Sequence, residues 1–440
     1  MHLSNRIKRL RLRNNLTQAK LCQGIISVPH YSNIETGRFS PNVETLELLA
    51  NRLQVPANYF LAINQECPLT ENALTQYESL IMAGEEVEIN RFYTSKLDLF
   101  SFIPCYKQEL YFYLLRFIEL ANSNHITETI NLYEENIKDI PNIDSLLNSK
   151  REQKLHYVSG LYFYLKKQYR LCIQHFKQMI SLGSDMHLTS KAYFNMGLAH
   201  YKLNDYVNAL KHTRKAKLSY FKLHDWSKVG DCYNLMAVLL REMGLPSESE
   251  SYITRGFDIA TSDSYELVAK LNHNLALLKF DAKDYHEATT LINNSISIKM
   301  QHCKFNIFNS YKVKLNIFLA TKDIIMLKKT LKEAAEFVNT ALEKATYNSI
   351  KAKMHYLLED YPTYEKLISK SIEGYLETNN WKSLISTTEH YSTFLEANKK
   401  YKKAFEQQRL SIKAYKHLYE GGQDYEKVVI TSSIVTNDVI

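Results

Sequence analysis

The chain has 440 residues, of which 45% are hydrophobic, 12% aromatic and 23% charged, with 12 Gly and 8 Pro. This composition supports a large buried core and rules out a disordered protein. So few Gly and Pro argue against an all-β architecture, which needs a turn about every ten residues. The net charge of +8 is unevenly placed. Residues 1–60 carry eight basic side chains (Arg6, Lys8, Arg9, Arg11, Arg13, Lys20, Arg38, Arg52) against Glu35, Glu44 and Glu47, which puts +5 at that end and +3 on the other 380 residues. A basic end of this kind suggests a polyanionic partner.

Leu3, Ile7 and Leu10 fall on one face of a first helix whose other faces carry the arginines, and Asn14-Asn15 ends it. Thr17 is placed to cap a second short helix that stops near Gly24. A third is expected from about Pro29 to Thr36, capped by Ser27, with Tyr31 and Ile34 inward and Gly37 just beyond its end. After SPN, a fourth helix is expected to bury Val43, Leu46, Leu49 and Leu53, with Val55, Tyr59 and Phe60 closing a small bundle over residues 1–62. Pro68 interrupts the helical pattern, so residues 63–74 are expected to be a linker.

Beyond it one spacing recurs over residues 75–420. An anchor, small or apolar in all but one case, is followed nine positions on by a residue that is Tyr in five of seven cases (Pro246 and Ile324 in the others), and three further by another small or apolar residue. The cases start at Gly160, Gly197, Ala237, Ala276, Leu315, His355 and Ser392, in steps of 37, 40, 39, 39, 40 and 37 residues. Such a period means stacked helical hairpins, because one hairpin cannot bury its apolar face alone. One or two degenerate hairpins are expected in 75–150, and eight to nine in all. Residues 421–440, which include VVITSSIVTNDVI, turn β-rich and are expected to be a tail, disordered or docked on a partner.

The six cysteines are far apart and form no CxxC pair, which fits reduced thiols in the cytoplasm. The N-terminus has no apolar signal segment. The most apolar stretch, 110–120, is too short for a membrane and contains Arg116 and Glu119. No GxGxxG, GxxxxGK[ST], HExxH or GxSxG motif occurs, so neither an ordinary enzyme nor any cofactor or metal is expected.

The segment LTQAKLCQGIISVPHYSNIETGRFSPNVETLELLANRLQVPANYF resembles the helix-turn-helix of the phage-repressor-like (XRE/Cro) families. The match lies in its LTQ opening, the IExG close of the third helix, the SP before the fourth and the LxVP end. The segment between the second and third helices is about one residue shorter than usual and lacks the customary turn Gly, as in the PlcR/NprR branch of peptide-sensing regulators. The hairpins resemble tetratricopeptide (TPR) repeats. The expected fold is therefore all-α, a helix-turn-helix bundle followed by a right-handed solenoid of TPR-like hairpins. The whole plan is similar to the cytoplasmic RRNPP-type peptide-pheromone regulators of Gram-positive bacteria.

That geometry places the third helix in the major groove of double-stranded DNA. Its outward residues Pro29, His30, Ser32 and Asn33 are candidate base readers, Asn33 foremost because an amide can both donate to and accept from adenine. The family pattern implies a phosphate contact at Gln18, Arg38 sits where a loop cation would meet the backbone, and Thr17 and Ser27 are further candidate DNA-binding residues. A solenoid of this kind takes an extended peptide on its concave face, lined by the first helix of each pair. The repeat register places Tyr157, Tyr164, Lys191, Asn195 and Tyr201 there, then Asn234, Arg241, His273, Asn274 and Lys312. The asparagines suit an extended backbone, and Arg241 or Lys191 a ligand carboxylate. The resemblance further implies a homodimer on a palindromic operator, switched by a short signalling peptide. It also allows a second activity, since the related Rap proteins use a similar solenoid to bind response regulators and promote aspartyl-phosphate loss.

Overall fold

A computed structural model describes residues 2–138, 140, 147–183 and 185–419, and every regular element among them is helical. The tail expected at 421–440 lies outside the described residues. The chain forms two compact units that divide after Ser219.

In the first unit α1 (His2–Arg13), α2 (Gln18–Cys22), α3 (Val28–Glu35), α4 (Val43–Arg52) and α5 (Asn58–Leu61) form the head. Side-chain oxygens start three of them. Thr17 accepts from the Lys20 N–H at 3.2 Å, Ser27 from His30 at 3.4 Å and Asn42 from Thr45 at 2.9 Å, satisfying donors that a helix start leaves open. Ile7, Leu21, Tyr31, Ile34, Leu49 and Phe60 form the fully buried centre. Val43 does not join them. It is 58% exposed at the first turn of α4, where Leu46, Leu49 and Ala50 hold the inward positions.

The next helix, α6 (Pro68–Ala83), overrides the expected linker, because a proline at the first helical position gives up only an N–H that has no partner there anyway. Chain without helix spans only 62–67. Then follow α7 (Glu86–Ser95), α8 (Leu97–Ser101), α9 (Tyr106–Asn122), α10 (Ile126–Asn136), α11 (Ser149–Leu165), α12 (Tyr169–Leu182), α13 (Met186–Lys202) and α14 (Tyr206–Lys222), the last running into the second unit.

The second unit continues as hairpins: α15 (Trp226–Glu242) with α16 (Pro246–Ile259), α17 (Tyr265–Asp281) with α18 (Tyr285–Ile298), α19 (Ile307–Ala320) with α20 (Ile324–Ala334), α21 (Ala341–Leu357) with α22 (Tyr361–Glu377), and α23 (Trp381–Ala397) with α24 (Tyr401–Tyr419). A π-turn, Lys299–Cys303, extends α18.

The seven hairpins from α11 to α24 share one turn. Two residues before the second helix the backbone is left-handed, at Lys167, Asn204, Gly244, Lys283, Lys322, Glu359 and Lys399, which closes the first helix. The residue between is often Asp, whose carboxylate caps the second helix at Asp205, Asp284, Asp323 and Asp360. This register corrects one repeat. The sixth hairpin starts its second helix at Tyr361, so its small anchor is the buried Ala352 and not His355, and Tyr364 fills the buried place that Cys172, Ala209, Ser249, Ala288, Leu327 and Ala404 take in the others.

Candidate functional site

A buried carboxylate organises the head. Glu35, at the end of α3, accepts from Arg11 Nε at 2.5 Å, Tyr31 Oη at 2.7 Å and Gln18 Nε2 at 2.7 Å, fastening α1 and α2 to α3. Burial alone would raise its pKa, but these three donors hold it below the usual carboxylate range. The half-buried Gln18 thus spends one amide N–H on Glu35. Thr17 and Ser27 are exposed but act as helix caps.

Pro29, Asn33 and Arg38 are exposed along and just beyond α3, and Ser32 is half-buried beside them. The main-chain carbonyl of Asn33 accepts from the N–H groups of Arg38 and Phe39, so the following loop is pinned to α3 while the Asn33 amide points out. The half-buried His30 packs edge-on against Phe39 at 4.3 Å, which fixes its ring.

Half of the head's positive charge is structural. Arg6 and Arg9 converge on the buried Glu109 of α9, at 2.7 and 2.9 Å. Tyr59 and Tyr113 also donate to that carboxylate, and Arg6 Nη1 donates to the Pro104 carbonyl at 2.7 Å. Burial would raise the Glu109 pKa, yet Arg6 and Arg9 keep it low. Arg11 serves Glu35, and Arg52 donates to the carbonyls of Leu21 and Gln23. That leaves Lys8, Arg13, Lys20 and Arg38 exposed for a polyanion.

Of the expected ligand residues in the first unit, Tyr157 is buried against Phe176, 5.9 Å between rings, with its hydroxyl beside Asn195. It supports the first-helix surface and does not line it. Tyr164, Lys191, Asn195 and Tyr201 are half-buried on α11 and α13, and Tyr164 and Tyr201 each pack on the aromatic that opens the next helix, Tyr169 and Tyr206.

In the second unit the two asparagines meet. Asn274 Nδ2 donates to Asn234 Oδ1 at 2.7 Å, and the fully buried Asn234 keeps an Nδ2 with no partner. Arg241 is held by Asp281 at 2.7 Å, so a ligand carboxylate would have to displace that pair. His273 shares Ser310 with the buried Lys299, at 3.1 and 3.0 Å. Burial, then Lys299, Lys312 and Arg241, push the His273 pKa down, and burial with Lys270 brings Lys299 to about 8. Lys312 is half-buried on the next repeat. Sequence reasoning missed Glu109 and Lys299, whose significance lies only in what surrounds them.

Among the described residues no helix is long and apolar enough to cross a membrane, and no group of three His, Cys, Asp or Glu side chains could hold a metal ion. Residues 7–60 match the helix-turn-helix family, and this segment is a domain of that family. No curated protein matches the chain. Solved structures share its fold, RapI, NprR and aspartyl phosphate phosphatase F among them. RapI in its apo form is 14% identical with a TM-score of 0.60, covering 80% of this chain and 99% of its own. NprR in complex with its cognate peptide NprX is 12% identical with a TM-score of 0.59, at the same coverage. Aspartyl phosphate phosphatase F from Bacillus subtilis is 15% identical with a TM-score of 0.55, covering 82% of this chain and 97% of its own. The chain thus joins a helix-turn-helix domain to the TPR-like fold of the Rap and NprR proteins.

Proposed function

We propose that the protein is a transcription regulator that binds double-stranded DNA as a homodimer through its helix-turn-helix and is controlled by a short signalling peptide held on the first helices of its repeats. The observation that carries this is the head itself. Glu35 locks α2 and α3 together, while Asn33 and Arg38 stay exposed and unengaged at the surface a major groove would meet. Peptide control is supported by the likeness to the NprR–NprX complex.

Footprinting of full-length protein on the DNA upstream of its own gene tests this. Two protected half-sites related by a twofold axis are expected, and protection without sequence preference would contradict it. The likeness to phosphatase F favours a second reading, in which the repeats bind a response regulator and promote loss of its aspartyl phosphate. Accelerated dephosphorylation of such a protein by a chain lacking operator binding would support that alternative.

A further inference from the structure

Helices α12 and α14 contain no acidic residue in 14 and 17 residues, respectively. Their exposed surfaces carry Arg170 and Lys177 on α12 and Lys211, Arg214 and Lys215 on α14. Lys154 on α11 pairs with Glu78 at 2.6 Å and Lys166 with Glu134 at 2.9 Å, whereas among the described residues none of these five has a carboxylate within ion-pair distance. The charges of both helices converge on one place. The half-buried His212 stacks on His200 at 5.2 Å, and its pKa falls to about 4 through burial, then through His200, Lys215, Lys211 and Lys177.

The same surface is unusually apolar. Leu171, Leu203, Val207 and Leu218 are between 38% and 68% exposed. Beside the first two lies an open groove of about 380 Å³, lined by Arg170, Ile173, His200, Leu203 and Asp205. Cations alone would suffice for a phosphate backbone. Cations interleaved with exposed aliphatic side chains match a surface that offers carboxylates and apolar groups together.

We infer that the outer face of α12 and α14 docks an acidic, amphipathic segment of a partner protein, with its carboxylates against Lys177, Lys211, Arg214 and Lys215 and its apolar side chains over Leu203, Val207 and Leu218. This surface is separate from the helix-turn-helix and from the proposed peptide residues, so it stands whether or not those assignments hold. Exposed charges within a Debye length of about 8 Å at physiological salt make the contact weaken as salt is raised.

The test is fluorescence anisotropy on the full chain with three labelled probes: a peptide with Glu and Leu at helical spacing, poly-glutamate of equal charge, and a DNA duplex of scrambled sequence. The amphipathic peptide should bind about tenfold tighter than poly-glutamate, and K211E/K215E should lose most of that affinity, with K211Q/K215Q as a milder check on folding. Val207→Ser with Leu218→Ser should weaken only the amphipathic probe, and duplex binding should be unchanged throughout. Equal binding of the two acidic probes, no effect of K211E/K215E, or duplex binding that falls as far as peptide binding would overturn the inference. Loss of self-association in K211E/K215E would instead make the partner a second copy of this chain, and would overturn it too.

Discussion

Arg6 and Glu109, 103 residues apart in sequence, meet at 2.7 Å with the arginine side chain wholly buried. Through this pair α1 of the head is fastened to α9 of the repeats, so the head is joined to them by more than the short segment 62–67. Arg9, Tyr59 and Tyr113 complete the shell around the same carboxylate.

Removing one partner of such a cluster strands the others. Glu109→Ala should cost about 3–5 kcal/mol of stability in urea unfolding, because two guanidiniums are left against a space with no anion. Glu109→Gln should cost less, since it keeps acceptors for them. A Glu109→Ala chain within about 1 kcal/mol of the parent would show that the pair does not join the head to α9.

Close approach of the paired helices makes a second prediction. A Cβ at Gly160 would lie 2.6–2.9 Å from the ring of Phe176, which is fully buried and has nowhere to move. Gly160→Ala should therefore destabilise the protein by about 1–3 kcal/mol through overpacking. Thermal unfolding checks it, and an unchanged midpoint would contradict the packing described.

On the DNA side, Asn33→Ala and Arg38→Ala should fail differently. Losing the Asn33 amide should cost about 1–3 kcal/mol at one base position and little at others. Losing Arg38 should weaken binding to every sequence and reduce the salt slope by about 1. Affinity measurements on a set of single-base operator variants at two salt concentrations separate the two.

The His212 pKa makes stability depend on pH. Its folded value, about 4, lies below its ordinary 6.5, the causes being burial first and then His200, Lys215, Lys211 and Lys177. The unfolded state then binds the proton more readily, so the contribution of His212 is complete above pH 6.5 and is lost as pH falls toward about 4. His212→Gln should flatten that part of the melting-temperature profile relative to the parent. Parallel profiles would mean that the ring is not shielded as described.

Much of this was legible in the sequence, and the gaps have physical causes. Periodicity exposed the hairpins because Gly160, Gly197, Ala237 and Ala276 must be small and buried wherever two helices touch. It slipped at His355 because Tyr364 stands in the sixth hairpin where the others carry Cys, Ala, Ser or Leu, and an aromatic there looks like the residue that opens the helix. Charge counting overstated the DNA surface, because nothing local to Arg6 or Arg9 shows that their partner is Glu109. Helix periodicity placed Asn234 and Asn274 on equivalent faces, but not their direct bond across 40 residues.

Peptide control of DNA binding requires two states of one molecule that differ in their affinity for the peptide. It is tested most directly by anisotropy titration of the full-length protein against its own upstream DNA, with and without synthetic peptides encoded beside the gene. The account predicts sequence-specific binding in roughly the nanomolar range. One peptide should shift it about tenfold, a coupling of about 1.4 kcal/mol, and Asn274→Ala should lose that shift while still binding DNA. Weak, steeply salt-dependent binding that no peptide changes would contradict it.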